Sequence, residues 1–420
     1  NRIFDRQNIF FNGIELLNLR YVAEDGKLKT LNFIISSREH LEEILTGGER
    51  VDGSSLFSFI EAGSSDLYIM PRYRSAFVNP FNEIPTLEIL CSFYTSEGKP
   101  LESAPDYVLR KAAKRFYEQT GADFMALMEL EYYVIGEKYD LYPGTDQKGY
   151  HESQPFTNYE DLRLEALQLV AQAGGKIKYG HSEVGNFCDA THCYEQHEIE
   201  FLPTSVEQAA DTMVIAKWIL RMLGRQYGVN ISFAPKITVG KAGNGLHVHM
   251  MVRKDGKNLL VEDGALSGFA KRMITGILDA APALTAFGNT VPTSYLRLVP
   301  HQEAPTYVCW GDRNRSVLVR VPLGWLNAEN MLADANPKQQ TAKTLPNRQT
   351  FEFRVPDGSA DVHLLLAGLI VAALEGLKAD QDTMLKRAAG LYAPVDIFRP
   401  EFKEKLEALQ QLPVSCADSA

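Results

Sequence analysis

The chain has 420 residues, 45% of them hydrophobic and 23% charged, more than one core usually organises, so two or three domains of about 100 to 200 residues are expected. Its 43 basic and 53 acidic residues leave a net charge of −10, and no Lys/Arg block forms a phosphate-tracking stripe, which argues against nucleic acid as a partner. The longest apolar stretch, Leu364 to Leu374, is about half of the roughly 20 residues a membrane span needs, and no charged-then-apolar leader opens the chain. A cytoplasmic protein outside the membrane is therefore expected, and the missing initiator Met suggests trimming.

Residues 14 to 35 read as two alternating strands around the turn Glu24-Asp25-Gly26-Lys27. A short helix is predicted from the capping-box pattern Ser36-Ser37-Arg38-Glu39 to Gly47-Gly48. Apolar strands at 66 to 73 and 86 to 94 complete a small α+β unit, and a polar stretch with Gly98, Pro100 and Pro105 marks a boundary. This divides the chain into domains 1–98 and 99–420. The second alternates amphipathic helices, at about 104 to 120, 159 to 173, 205 to 227, 266 to 280 and 360 to 378, with short strands. Ser103 before Pro105 and the box Thr204-Ser205-Val206-Glu207 read as helix starts. Five cysteines without a CxxC pair fit reduced thiols better than a disulfide framework; Cys188 and Cys193 near His192 and His197 leave a soft-metal site as the lesser alternative.

Chemistry enters at Phe124 to Ile135, where Glu129 and Glu131 interrupt an apolar run at a spacing of two, which a strand places on one face. Burying two like charges side by side is expensive without cations, so the segment is either part of a metal site or a solvent-facing strand. The pattern recurs in Leu246 to Met251 with His247 and His249, in Gln196 to Phe201 with Glu198 and Glu200, and in Phe351 to Arg354 with Glu352. Four such strands describe a polar funnel. A carboxylate-rich set with one imidazole per ion suits Mg²⁺ or Mn²⁺, whereas catalytic zinc favours more histidines or a thiolate. Arg297, Arg313, Arg315 and Arg320 add a basic cluster suited to gripping phosphate, with surface salt bridges as the bland alternative. No Walker loop is present, and the glycines at 240 to 245 lead into a strand.

Seven ordered motifs resemble the glutamine synthetase family in its bacterial, type I-like branch. They are VDGSS at 51 to 55, MELEYYV from Met128, QHE from Gln196, GLHVH from Gly245, SYLRLVPHQEAP from Ser294, RNRSVLVRVP from Arg313 and FEFRVPD from Phe351. The resemblance implies an α+β fold: a small N-terminal β-grasp domain, then a catalytic domain whose antiparallel sheet forms the active-site funnel. It implies ligation of ammonia to L-glutamate through a γ-glutamyl phosphate, giving glutamine, ADP and phosphate. The cofactor set is ATP with two or three Mg²⁺, Mn²⁺ being the alternative. One metal is assigned to Glu131, Glu183 and Glu198, and a second to Glu129, His247 and Glu352. Arg297 and Arg354 are assigned to substrate carboxylates and the transferred phosphoryl group, Gly243 to the substrate's amino group, and His249, Arg315 and Arg320 to ATP. Glu303 is assigned to a closing flap. Asp52, with Ser55 and Tyr150, is assigned to binding and deprotonating ammonium across a subunit interface, in a homo-oligomer of two stacked hexamers.

The pattern departs from the family in places. The stretch between Glu183 and Glu198 is longer than usual, which leaves Glu195 and Glu200 as alternatives to Glu198. Lys241-Ala242 replaces an Asp-Asn pair, Met251 a serine, and Gly358, Asp361, Val362 and His363 replace other familiar features. Leu323 to Asn347 is an extended segment, Tyr392 falls where some members are adenylylated, and further helices are expected beyond Ala420. Two rivals follow: a relative that joins an acid to an organic amine, and a non-catalytic homologue.

Overall fold

The computed structural model describes residues 13–302, 304–326, 328, 331–338 and 347–419. The first strands, Leu16–Val22 (β1) and Leu28–Ile34 (β2), pair antiparallel around the predicted turn. Gly26 takes a φ of +67° there, which side-chain-bearing residues rarely adopt. The helix Arg38–Gly47 (α1) is capped by Ser37, whose hydroxyl accepts from His40 N, so Ser37 and not Ser36 is the cap. The strands Glu49–Asp52 (β3), Asp66–Pro71 (β4), Phe77–Val78 (β5) and Thr86–Tyr94 (β6) complete a sheet ordered β2-β1-β6-β4-β3, with β5 on β6 and with β1 parallel to β6. Leu41, Ile44 and Leu45, three and four apart on α1, close it against Leu17, Leu19, Ile69 and Ile89.

The second unit opens with Pro105–Thr120 (α2), which starts on its proline; Ala104 stands at the cap without a side-chain bond, so Ser103 does not cap it. The strand Asp123–Glu137 (β7) follows, then Glu160–Gln172 (α3), the hairpin Ile177–Cys188 (β8) and His192–Phe201 (β9), and the short Thr204–Ser205 (β10). Ser205, not Thr204, caps Val206–Tyr227 (α4) by accepting from Gln208 N. Next come Asn230–Ser232 (β11), Leu246–Lys254 (β12), Lys257–Asn258 (β13), the pair Val261–Glu262 (β14) and Ala265–Leu266 (β15), and Gly268–Asp279 (α5). Trp310–Asp312 (β16), Val319–Val321 (β17), Phe351–Phe353 (β18), Val362–Lys378 (α6) and Gln381–Gly390 (α7) are the later elements used below.

The large sheet runs β16-β17-β18-β12-β7-β9-β8, with β10 and β11 pairing β7 and β13 pairing β12. Period-two alternation sorts its chemistry. Phe124, Ala126, Met128, Leu130, Tyr132 and Val134 of β7 join the main apolar core, leaving Glu129 and Glu131 on the opposite face. The apolar stretch from Leu364 lies in α6 and buries Leu365, Leu366, Leu369, Ile370 and Leu374 in that core. Among the described residues no single helix is long and apolar enough to cross a membrane.

The two units meet at α4. The Arg72 guanidinium forks onto the Asp211 carboxylate at 2.8 and 2.9 Å, and Trp218 packs against Phe77, Phe81 and the Arg20 guanidinium. The cysteine reading is corrected in part. Register places Cys188 opposite Cys193 at the end of the β8–β9 hairpin, and the two form a disulfide, while Cys91, Cys309 and Cys416 are free thiols.

Candidate active site

Sheet register assembles the ionisable groups. Glu129 on β7 faces His247 of β12 on one side and Glu200 of β9 on the other, Glu131 pairs with Glu198, and Glu352 of β18 stands between His249 and Arg320. The side chains converge. Glu129 is 2.9 Å from both His247 Nδ1 and His249 Nε2, and Glu352 is 3.4 Å from His247 Nδ1 and 2.9 Å from Arg320 Nη1. Across the site, His181 Nε2 lies 3.4 Å from Glu198, and its Nδ1 lies 3.9 Å from Glu183. Glu129, His247, His181, Glu183 and Glu198 line a cavity of about 390 Å³ together with Tyr150, Tyr179, Gly243, Arg297, Arg315, Arg320 and Arg354, while His249 and Glu352 are outside its lining.

Among the described residues three sets bring ligand atoms within 4.8 Å of one another: Glu129, His249 and Glu352; His181, Glu183 and Glu198; and Glu129, Glu198 and Glu200. The first two overlap the two sets implied by the resemblance and differ from them by one member each. Glu131 lines the cavity with its Oε2 accepting from Gly245 N at 2.7 Å and Gln196 Nε2 at 3.1 Å, and His181 takes its place in the second set. In the first set His249 stands where His247 was assigned, both imidazoles reaching Glu129. Glu195 is turned to the opposite face, where it accepts from Thr157 and Asn158, because β9 alternates; Glu200 shares the face of Glu198 and pairs with Lys178 at 2.6 Å.

Electrostatics tests whether cations fit. Burial, then the carboxylates of Glu129, Glu131, Glu183 and Glu200, push the Glu198 carboxyl well above its usual range. Burial also pushes Glu129 upward, but His249 and His247 outweigh it and hold that carboxylate low; Arg354 contributes most to doing the same for Glu352. A hard-oxygen, imidazole-poor donor set with one carboxyl forced upward by its neighbours fits divalent Mg²⁺ or Mn²⁺, whose charge removes that repulsion. The sign of the pH effect follows. A carboxyl raised in the folded state keeps its proton longer there than in the unfolded chain, so stability is lost as pH rises from the ordinary carboxylate range through the folded value. Without divalent ions, Glu198→Gln is therefore expected to melt about 3 °C above the parent at pH 8, with the difference shrinking at pH 5. Mg²⁺ is expected to stabilise the parent and not the variant; equal melting of the two at pH 8 contradicts the repulsion argument.

Two glycines of the 240 to 245 loop, Gly243 and Gly245, are required by close approach. A Cβ on Gly245 falls 2.6 Å from Arg297 Nη2 and 2.8 Å from His247 Nε2, and one on Gly243 falls 2.3 Å from Pro235 O. Tyr133 Oη donates to Ala242 O and Gln196 Nε2 to Gly243 O, while Lys241 pairs with Asp146 at 2.6 Å. The loop's backbone is thus fixed without the Asp-Asn pair. Arg297 is buried, donates to Val355 O at 2.9 Å, and lies 3.4 Å from His247 Nε2.

Asp52 and Ser55 do not line this cavity within one chain. They sit at the start of the β3–β4 connection, where Asp52 accepts from Ser54 Oγ at 2.7 Å and Ser55 Oγ at 2.6 Å. The Ser55, Ser54 and Ser65 hydroxyls hold its carboxyl well below the usual range, so it is a fixed anion at neutral pH. Tyr150 lies in the cavity, its ring stacked on His151 at 4.1 Å and edge-on to His181 at 5.6 Å. Glu303 lies outside the described residues. Sequence reading missed His181 and Gln196 as site members. The strand pattern of β8 carried His181 two positions before Glu183, a spacing that signals a shared face.

A larger cavity of about 1000 Å³ lies behind β17, lined by Val321 where Arg320 faces the first, and by Trp310, Leu323, Trp325, Leu385 and Tyr392. Its apolar walls lack the converging carboxylates. Tyr392 donates there to Asp312 at 3.1 Å and packs its ring 4.8 Å from Trp310.

Two family profiles match the chain: the glutamine synthetase beta-Grasp domain over residues 13–96, and the glutamine synthetase catalytic domain over residues 102–420. The glutamine synthetase of Pyrococcus furiosus is 30% identical over 420 residues, covering 98% of this chain and 85% of that protein. That of Methanococcus maripaludis is 26% identical over 414 residues, covering 96% and 85%. Among solved structures, a GmaS/ADP complex superposes with a TM-score of 0.79 at 19% identity over 99% of this chain and 89% of the other. Plasmodium falciparum glutamine synthetase superposes at 0.77 with 20% identity, again covering 99% and 89%. The small sheet is thus a β-grasp domain and the large one the funnel sheet of an α+β catalytic domain, and the chain belongs to the glutamine synthetase family, a family of ligases.

Proposed function

We propose that the protein is an ATP-dependent carbon–nitrogen ligase that joins ammonia to the side-chain carboxylate of L-glutamate, giving glutamine, ADP and phosphate. The observation that carries this reading is the convergence of Glu129, Glu131, Glu183, Glu198 and His247 with Arg297, Arg320 and Arg354 on one cavity, with His249 2.9 Å from Glu129 and Glu352 3.4 Å from His247. A binding scaffold has no physical need for so many buried carboxylates.

Two divalent ions, held by Glu129, His247 or His249, and Glu352 on one side and by Glu131 or His181, Glu183 and Glu198 on the other, supply neutralising charge for phosphoryl transfer when bound. The rest is the work of the chain's own residues. Arg315 and Arg320 orient the ATP phosphates beside His249, and Arg297 and Arg354 hold the acid's carboxylates with the Gly243 backbone. The carboxylate attacks the γ-phosphorus and ADP leaves, because an acid with hydroxide as its leaving group does not accept an amine. Ammonia then attacks the acyl carbon and phosphate leaves. Asp52, supplied with Ser55 by a neighbouring copy in a homo-oligomer, binds ammonium beside Tyr150 as a fixed anion; taking its proton requires the serine hydroxyls to turn away.

A second reading rests on the rings around Glu183 and Glu198. Tyr150, His151, Tyr179 and His181 form a chain with centroids 4.1 to 5.8 Å apart, a wall that accepts an alkylammonium as well as ammonium. Phosphate release from ATP with Mg²⁺ and glutamate, with ammonium and a series of mono- and polyamines supplied in turn and the product weighed by mass, separates them. Glutamine with ammonium supports the first reading; an amide formed only with an organic amine moves the protein to the second.

A further inference from the structure

One buried lysine near the site is held by neutral oxygens. Lys236, in the loop after β11, is 5% exposed, and its Nζ donates to Lys241 O at 2.6 Å and to Gln302 Oε1 at 2.5 Å. Burial, then Arg297, lowers its ammonium to about 8, so the location is unfavourable for a charge and needs a reason. The two acceptors belong to different segments, and both segments, Gly240 to Gly243 and His301 to Gln302, line the cavity. The first is anchored from its far side: Tyr133 Oη donates to Ala242 O, Gln147 Oε1 accepts from Ala242 N, and Gln196 Nε2 donates to Gly243 O. The second carries His301 at a φ of +62°, a conformation that a residue with a Cβ holds only when its surroundings enforce it. An ammonium with three donors on a flexible stem bridges two such acceptors, and a neutral side chain of similar length without donors does not.

We propose that Lys236 is a positioning residue that locks residues 301–302 onto the anchored 240–245 loop and so keeps water from the acid-binding end of the cavity. The proposal rests on the ligase reading for its catalytic consequence, though not for the lock itself. In the parent, each phosphate released is expected to accompany one amide formed. Lys236→Met is expected to raise the ratio of phosphate to amide by about threefold or more, because water then competes with the amine for the acyl phosphate. Lys236→Arg, which keeps the charge and the donors, is expected to restore a ratio near that of the parent. Mg²⁺-induced thermal stabilisation should be unchanged in both variants, since neither touches the carboxylate sets.

Hydrogen exchange in the resting protein tests the lock independently of turnover: the amides of His301 and Gln302 are expected to exchange about tenfold faster in Lys236→Met and at the parental rate in Lys236→Arg. Parental exchange in Lys236→Met overturns the lock. Faster exchange with an unchanged ratio overturns its water-excluding role. Absence of any amide product from the parent, with exchange behaving as expected, defeats the ligase reading and leaves the lock standing.

Discussion

Glu129→Ala is expected to lower phosphate release from ATP by roughly 10³-fold or more while the protein remains folded. Glu129 is the one carboxylate that both imidazoles of the GLHVH strand reach at 2.9 Å, and it belongs to two of the three converging ligand sets. Its removal leaves Glu352, at 3.4 and 3.9 Å, as the ion-pair partner of His247 and His249 among the described residues, and strips a hard oxygen donor from two positions at once. It also removes one of the charges that raise Glu198, so the variant should lose Mg²⁺-dependent stabilisation. Thermal melts with and without Mg²⁺ beside the phosphate assay check both halves. Unchanged turnover contradicts the metal assignment, and collapse of the ion-free protein contradicts the claim that Glu129 acts through cations and not through packing.

Asp52→Ala is expected to leave nucleotide binding intact and to lower amide formation by roughly 10² to 10⁴-fold. The residue is exposed on the β-grasp domain and outside the cavity of its own chain, so this loss arises only if another copy presents it to the site. Mixed assemblies test that. Asp52→Ala and Glu129→Ala chains, each inactive alone, should regain activity when unfolded and reassembled together, since some sites then combine an intact Asp52 with an intact Glu129. Activity that survives Asp52→Ala, or mixtures as inactive as their parts, contradicts the shared site.

Much of this arrangement was legible in the sequence because strand alternation is a strong signal. Glu129 and Glu131, His247 and His249, and Glu198 and Glu200 each fell on one face at a spacing of two, and the sheet brought those faces together. The helix bodies were legible for the same reason, from apolar positions three and four apart. Their starts were less so: Ser36 and Thr204 each gave way to the following serine as the cap, because small polar residues in a row satisfy the same local rule, whereas after Ser103 the helix starts on Pro105 with Ala104 making no side-chain cap bond. Partners set by register across distant segments were not legible. Gln196 opens the QHE motif two positions before Glu198, but nothing local says that it ties Glu131 to the glycine loop, and the Cys188–Cys193 bond depends on the hairpin closing in one register.

The central claim is that the cavity activates an acid by phosphorylation before an amine attacks it. The most direct measurement follows oxygen. With the side-chain carboxylate of glutamate labelled with ¹⁸O and ATP, Mg²⁺ and ammonium supplied, mass analysis of the released phosphate reads where the label goes. An acyl phosphate transfers one labelled oxygen from the acid to each phosphate, and amide and labelled phosphate should appear in equal amounts. Unlabelled phosphate means that water, not the acid, attacked ATP, and would contradict the account.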